Sequence, residues 1–88
     1  MKIRRKHNLG AEEARHRADR IAEDLKDRFS LRAKWNGDAL QVQGNGVSGR
    51  LVVDDRWLEV EVRLGFALML MEGPIRSAIE ATIDEELA

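Results

Sequence analysis

The sequence contains no cysteine, a single proline and few aromatic residues, and it has no long hydrophobic run. Without cysteine the chain has no disulfide framework, no thiolate metal site and no cysteine nucleophile. The longest apolar run, residues 66–71, is far shorter than the roughly 20 residues of a membrane-spanning helix. The basic N-terminal residues are not followed by the apolar run of a signal peptide, so we expect a soluble, cytoplasmic protein.

Length and composition predict one globular domain over residues 1–88, because 43% of the residues are hydrophobic and 35% are charged. The formal net charge of −1 conceals an uneven distribution along the chain. Residues 1–34 carry 11 basic and 6 acidic side chains, whereas residues 35–88 carry 4 basic and 10 acidic ones. A basic N-terminal region of this kind raises the question of an anionic partner such as nucleic acid.

Hydrophobic periodicity predicts the order strand, helix, four strands, helix. A weak alternation marks a first strand over 2–7, and an apolar stripe at helical spacing marks a helix over about 11–29. Gly10 is its expected N-cap, with Glu13 reaching back toward it. Asn36-Gly37 predicts a tight hairpin turn, residues 57–64 form the clearest strand, and the last helix is expected to begin at Pro74.

These elements predict an α+β fold in which two helices pack on one face of an antiparallel sheet. The first strand places Lys2, Arg4 and Lys6 on one face, and the last strand places Glu59 and Glu61 on its outward face. Because opposite charges stabilise neighbouring strands, we predict that these two strands are adjacent and antiparallel. In that arrangement, Ile3 points toward the core.

The chemical motifs in the chain are weak. Gly44, Gly46 and Gly49 match G-x-G-x-x-G, but a strand follows them where a phosphate-binding loop would need a helix. Ser48 lies in a sequence that lacks the last glycine of a nucleophile elbow, and His7 and His16 are the only imidazole bases. We therefore predict no catalytic residue, no metal site and no cofactor, and hence a protein that is not an enzyme.

The run from Gly65 to Met71 is apolar on every side, which fits neither an amphipathic helix nor a half-exposed strand. Two interpretations follow. The run is a buried connection between the sheet and the last helix, or it forms a hydrophobic groove or surface that binds a partner or an apolar ligand. The candidate binding residues are Phe66, Leu68, Met69, Met71 and Ile75.

Four stretches taken together resemble a small bacterial family, the polyhydroxyalkanoic acid system proteins. The resembling residues are 6–10, 18–22, 46–49 and 58–76, so the likeness covers nearly the whole chain. The resemblance implies a role in the synthesis, use or surface organisation of polyhydroxyalkanoate storage granules. It implies no catalytic residues. The order of elements is also similar to a reduced helix-grip, or START-like, fold, in which a long last helix lies across a curved sheet.

The sequence thus favours a non-enzymatic accessory or regulatory protein of polyhydroxyalkanoate metabolism, located in the cytoplasm at the granule surface. It would bind that surface or a granule protein through its apolar region. One alternative is a small helix-grip module that binds a lipid-like or acyl ligand. Another is a nucleic-acid-binding regulator that uses the basic first strand, although this strand is short and has no interleaved aromatics. A homodimer is compatible with each of these alternatives.

Overall fold

The computed structural model covers residues 1–88 and contains five strands and two α-helices in the predicted order. Helix α1 spans Ala11–Phe29 and helix α2 spans Glu72–Leu87. The segment Phe66–Met71, which we call the apolar segment, is a 3₁₀ helix that joins the last strand to α2. The strands are β1 (Lys2–Lys6), β2 (Arg32–Asn36), β3 (Ala39–Gly44), β4 (Val47–Val53) and β5 (Trp57–Leu64). The predicted α+β class is therefore confirmed.

The five strands form one antiparallel sheet in the order β1-β5-β4-β3-β2. Strands β2 to β5 make a simple meander, and β1 pairs with the free edge of β5. Arg4 lies opposite Glu59 and Ile3 lies opposite Val60, with only 1% of Ile3 exposed. The predicted pairing of the first and last strands, and the direction of Ile3, are both confirmed.

Both helices cover the same face of the sheet, which we call the inner face. Alternate residues of β3, β4 and β5 point into the core and meet the apolar stripes of α1 and α2. On β1, the Arg5 guanidinium donates hydrogen bonds of 2.8 Å to carboxylates of Glu80 and Asp84, which fastens α2 over this edge of the sheet. The fully buried large side chains are Ile3, Ile21, Leu58 and Ile83. Neither α-helix contains a stretch apolar enough to cross a membrane.

One turn differs from the sequence prediction. The hairpin between β2 and β3 forms, but Gly37-Asp38 make its two-residue loop and Gly37 alone has a positive φ, of 65°. A glycine with positive φ at the first central position of the turn satisfies the twist that a two-residue hairpin needs. The Asn36 backbone therefore stays in the strand, and the predicted turn is displaced by one residue.

The helix and strand ends also correct three expectations. Strand β1 ends at Lys6, one residue before the predicted end. Helix α2 begins at Glu72 and not at Pro74, because Pro74 lies in the first helical turn, where its missing N–H costs no hydrogen bond. Gly10 is the N-cap of α1 as predicted, but no side chain caps the helix, since the Glu13 carboxylate bonds the Arg17 guanidinium at 2.9 Å.

Candidate functional site: an exposed apolar segment

The apolar segment leaves the sheet at the end of β5 and is held there by the turn between β3 and β4. The Gly65 N–H donates to the carbonyl of Gly46 over 2.7 Å, and the Leu68 N–H donates to the carbonyl of Gly65 over 2.9 Å. A Cβ atom at Gly65 would lie 3.3 Å from the Gly46 carbonyl oxygen, so the two backbones approach closely. This close contact fixes the direction in which the segment leaves the sheet.

The side chains of the apolar segment project into solvent. Phe66 is 92% exposed and Leu70 is 95% exposed, and about half of Met69 and Met71 is exposed. No residue of the segment is buried. The interpretation of residues 65–71 as a buried connection is therefore wrong. A contiguous set of large exposed apolar side chains marks an interaction surface more often than a solvated one.

The five candidate residues do not all occupy this exposed surface. Leu68 is half-buried, and its side chain lies against Gly46, where an added Cβ would be 3.2 Å away. Ile75 is half-buried and packs against the core. The other three candidates are exposed, which a binding surface requires: Phe66, Met69 and Met71. Leu70 was not among the candidates, and only the path of the 3₁₀ turn determines that it faces outward.

An apolar crevice opens between the helices near the start of α2. Its cavity has a volume of about 30 Å³. Sites that enclose small molecules are typically 300–1,000 Å³, so this crevice does not hold an acyl chain as it stands. The side chains that line it include Leu25, Phe29, Leu31, Leu40, Ile75 and Ile79. The proposed lipid-like ligand would therefore require the helices to move apart.

The cations of β1 are largely neutralised within the fold. The Glu59 carboxylate lies 3.7 Å from the Lys2 ammonium and 3.5 Å from the Arg4 guanidinium, and Arg4 also stacks 4.1 Å above the centre of the Trp57 ring. Arg5 points to the inner face and binds α2. Only Lys6 in this strand makes no ion pair, which leaves little free charge on β1 for nucleic acid.

Hydrogen bonding shifts the pKa of two groups where β1 meets α2. Bonds from Arg76 and Arg5 lower the pKa of Glu80 below its ordinary value. Bonds to Asp84 and Glu80 raise the pKa of Arg5. Both shifts favour the charged forms of a network that ties the helix to the sheet. The network therefore has a structural role.

His7 and the glycine motif occupy structural positions, whereas His16 is exposed on α1, where its Nδ1 lies 3.8 Å from the Glu13 carboxylate. His7 is buried: its Nε2 lies 2.8 Å from the carbonyl oxygen of Asp54, and its Nδ1 accepts the N–H of Leu9 at 3.2 Å. These contacts fasten the β4–β5 turn to β1. Of the motif glycines, Gly44 and Gly49 lie in strands and Gly46 lies in the β3–β4 turn. No group of three or more histidine and carboxylate side chains is placed to hold a metal ion.

A family model described as "Putative polyhydroxyalkanoic acid system protein" matches residues 1–87. The chain belongs to this family. The predicted resemblance is thereby confirmed over the whole fold, including the apolar segment. Neither the curated proteins nor the solved structures give a match. The START-like, helix-grip relationship therefore stays a prediction.

Membership associates the chain with the polyhydroxyalkanoate system, and the family description names no enzymatic reaction. Because the match spans β1 through α2, the sheet, the helices and the exposed apolar segment all lie within the family's domain. How a member of the polyhydroxyalkanoic acid system family acts must then be inferred from the surfaces that this domain presents.

Proposed function

We propose that this member of the polyhydroxyalkanoic acid system family is a non-enzymatic accessory or regulatory protein that docks on storage granules through its apolar segment. It binds the granule surface, or a protein on that surface, from the cytoplasm. The observation that carries the proposal is the exposure of Phe66 and Leu70 beside half-exposed Met69 and Met71. Family membership supplies the biological setting.

The energetics of the apolar segment support this role. Fully burying a Phe or Leu side chain contributes about 1.5–3 kcal/mol relative to leaving it in water. Phe66 and Leu70 are almost fully exposed in the free protein, so nearly all of that contribution is available on docking. The unbranched side chains of Met69 and Met71 adapt to an irregular apolar surface, which suits a polymer better than a shaped ligand.

The structure of the segment also limits the conformational entropy that is lost on docking. The Gly65 N–H bonds the Gly46 carbonyl and the Leu68 side chain lies against Gly46, so the segment is fixed to the β3–β4 turn before it meets a partner. An ordered binding segment avoids much of the conformational entropy that a flexible loop loses on binding. The segment therefore presents its apolar side chains as a preformed projection from the sheet.

Co-sedimentation with polyhydroxyalkanoate granules tests the proposal. Two double variants, Phe66→Asp with Leu70→Asp and Met69→Asp with Met71→Asp, place charges on the apolar segment. Each should greatly reduce the fraction of protein that pellets with granules, because a carboxylate resists transfer into an apolar surface. The matched control, Ala11→Asp with Ala81→Asp, adds the same charge at exposed positions elsewhere and should pellet like the wild type.

Two arms of the same experiment identify the target on the granule. Binding to protein-free polymer particles as well as to native granules indicates the polymer surface, whereas binding to native granules alone indicates a granule protein. Equal binding by wild type and both folded double variants would refute the role of the segment. The role would also be refuted if sedimentation velocity showed a dimer that only the apolar variants dissociate, while their granule binding stayed unchanged.

A further inference from the structure

The outer face of the sheet, which neither helix covers, carries a second surface with a different character. A shallow, open cavity of about 570 Å³ lies on this face. Most of the side chains that line it are basic or neutral and polar; Glu61 is the one carboxylate, and Ala33 and Val42 are the two hydrophobic residues. We call the following set the basic face: Arg32, Lys34, Gln41, Gln43, Ser48, Arg50 and Arg63.

The four cations of the basic face are unpaired. Arg32, Lys34, Arg50 and Arg63 make no ion pair, whereas Lys2 and Arg4 at the other edge of the same face share Glu59. The outer face is therefore divided into a neutralised part over β1 and β5 and a positively charged part that extends from β2 toward β5. Unpaired like charges gathered on one surface repel each other, and an anionic partner relieves that repulsion.

Strand register arranges these groups in two rows across the sheet. In the first row Arg32, Gln43, Ser48 and Arg63 lie side by side on β2, β3, β4 and β5. In the second row Lys34, Gln41, Arg50 and Glu61 lie side by side on the same strands. The amides and the hydroxyl between the cations make no hydrogen bond within the protein, so their donors and acceptors are free for a ligand.

The span of the first row favours an extended chain over a small anion. Arg32 and Arg63 are separated by three strand spacings, or about 14 Å. An extended peptide covers that distance with about four residues. A single carboxylate or phosphate reaches only one end of the row, while a peptide places one acidic side chain on each arginine. Its backbone amides and carbonyls then meet Gln43 and Ser48.

The basic face does not have the chemistry of a nucleic-acid platform. Proteins that hold single strands combine cations with aromatic side chains on which bases stack, and no aromatic side chain lines this cavity. Trp57 is already covered by the Arg4 guanidinium. Glu61 lies opposite Arg50 in the second row, where it would repel any carboxylate or phosphate placed beside it, so the first row, from Arg32 to Arg63, is the one suited to a partner's carboxylates.

We propose that the basic face binds an acidic, extended segment of a partner protein. Two carboxylates of that segment contact Arg32 and Arg63, and the neutral polar side chains between them bond its backbone. Arginine suits this role because its guanidinium binds a carboxylate through two parallel hydrogen bonds. The site is separate from the apolar segment, and the proposal does not depend on granule binding.

Fluorescence anisotropy with a labelled oligoglutamate peptide tests the proposal in solution, without granules. The face variant combines Arg32→Gln, Lys34→Gln, Arg50→Gln and Arg63→Gln. The matched control combines Lys6→Gln, Lys26→Gln, Arg28→Gln and Arg56→Gln, which removes four exposed, unpaired cations elsewhere and changes the net charge equally. We expect the face variant to raise the Kd for oligoglutamate about tenfold or more, and the control to raise it about twofold or less.

Three results would overturn the proposal. The first is no binding of oligoglutamate by the wild type at low ionic strength. The second is an equal loss in both variants, which would indicate only general charge attraction. The third is tighter binding of an oligothymidylate of equal charge, which would indicate a nucleic-acid surface. If the fourfold variant does not fold, Arg32→Gln with Arg63→Gln must weaken binding more than Lys26→Gln with Arg28→Gln.

Discussion

Strand β5 and the apolar segment follow each other in the chain, but they differ in burial. Half of the residues in β5 are charged or lie on the outer face of the sheet, yet Leu58, Val60 and Val62 are buried. Every residue of the apolar segment is hydrophobic, yet none is buried. Burial therefore follows from the presence of a packing partner and not from local hydrophobicity. The helices cover the inner face of β5, and nothing in the chain covers Phe66 or Leu70.

The largest expected effect is on stability, when a leucine is shortened to alanine in β5 and, for comparison, in the apolar segment. Leu58→Ala should destabilise the protein by about 2–5 kcal/mol, because it removes a fully buried side chain and leaves a cavity. Leu70→Ala, the same chemical change at a 95% exposed position, should alter stability by less than about 0.5 kcal/mol. Urea unfolding of both variants measures the difference. A loss of more than about 1 kcal/mol for Leu70→Ala would mean that the segment packs against the fold.

The next test replaces two glycines with alanine, one beside β5 and one just after the apolar segment. A Cβ at Gly49 would lie 2.5 Å from the carbonyl oxygen of Glu61 on β5, so Gly49→Ala should cost about 1–3 kcal/mol. A Cβ at Gly73, just after the apolar segment, would meet nothing within 4 Å. Gly73→Ala should therefore be neutral or stabilise α2 by up to about 1 kcal/mol.

Thermal unfolding of the two alanine variants checks these expectations. Similar melting temperatures for Gly49→Ala and Gly73→Ala would contradict the close approach of β4 and β5. They would also weaken the contrast between a tightly packed strand and an open segment.

The smallest expected effect concerns the Glu80 carboxylate. It fastens α2 to the sheet, and the apolar segment leads into α2. The pKa of Glu80 is lowered in the folded state by bonds from Arg76 and Arg5, against an ordinary value of 4.5. Its contribution to stability is thus fully present above pH 4.5 and is lost as the pH falls through the folded-state pKa. Glu80→Gln should therefore destabilise the protein near neutral pH and have less effect in acid.

Urea unfolding from neutral pH into the acid range compares the wild type, Glu80→Gln and Glu85→Gln. Glu85 makes no ion pair and serves as the matched control, with the same charge change on the same helix. A difference between wild type and Glu80→Gln that stays constant across this range would show that the charge of the Glu80 carboxylate does not stabilise the fold.

Much of the fold was predictable because its signals are local and periodic. The alternation in β5 and the stripe in α1 reflect the geometry of strand and helix, so their bounds were confirmed within a residue. The pairing of β1 with β5 was predictable because Lys2, Arg4 and Glu59 form a complementary charge pattern. The turn at Gly37-Asp38 and the start of α2 were misplaced by one or two residues, since neighbouring positions offer similar turn chemistry.

The surfaces were harder to predict because they depend on what the fold leaves uncovered. The sequence identified Phe66, Met69 and Met71 as candidates but could not decide between a buried and an exposed segment. It missed Leu70, whose direction depends on the 3₁₀ path after Gly65. It also gave no sign of the basic face, because Arg32, Gln43, Ser48 and Arg63 are far apart in the chain and meet only across four strands.

The amino-acid sequence by itself determined the class of the fold, the order of its elements, its edge-strand pairing and its family. Each of these rests on patterns that can be read along the chain: the periodicity within each element, the charges on two strands, and the order of four short stretches. Only the tertiary structure decided which hydrophobic residues remain in solvent and which cations remain unpaired. The physical reason is that exposure and charge neutralisation depend on contacts between distant elements: both helices lie on one face of the sheet, and neither reaches the apolar segment's outer side chains or the basic face.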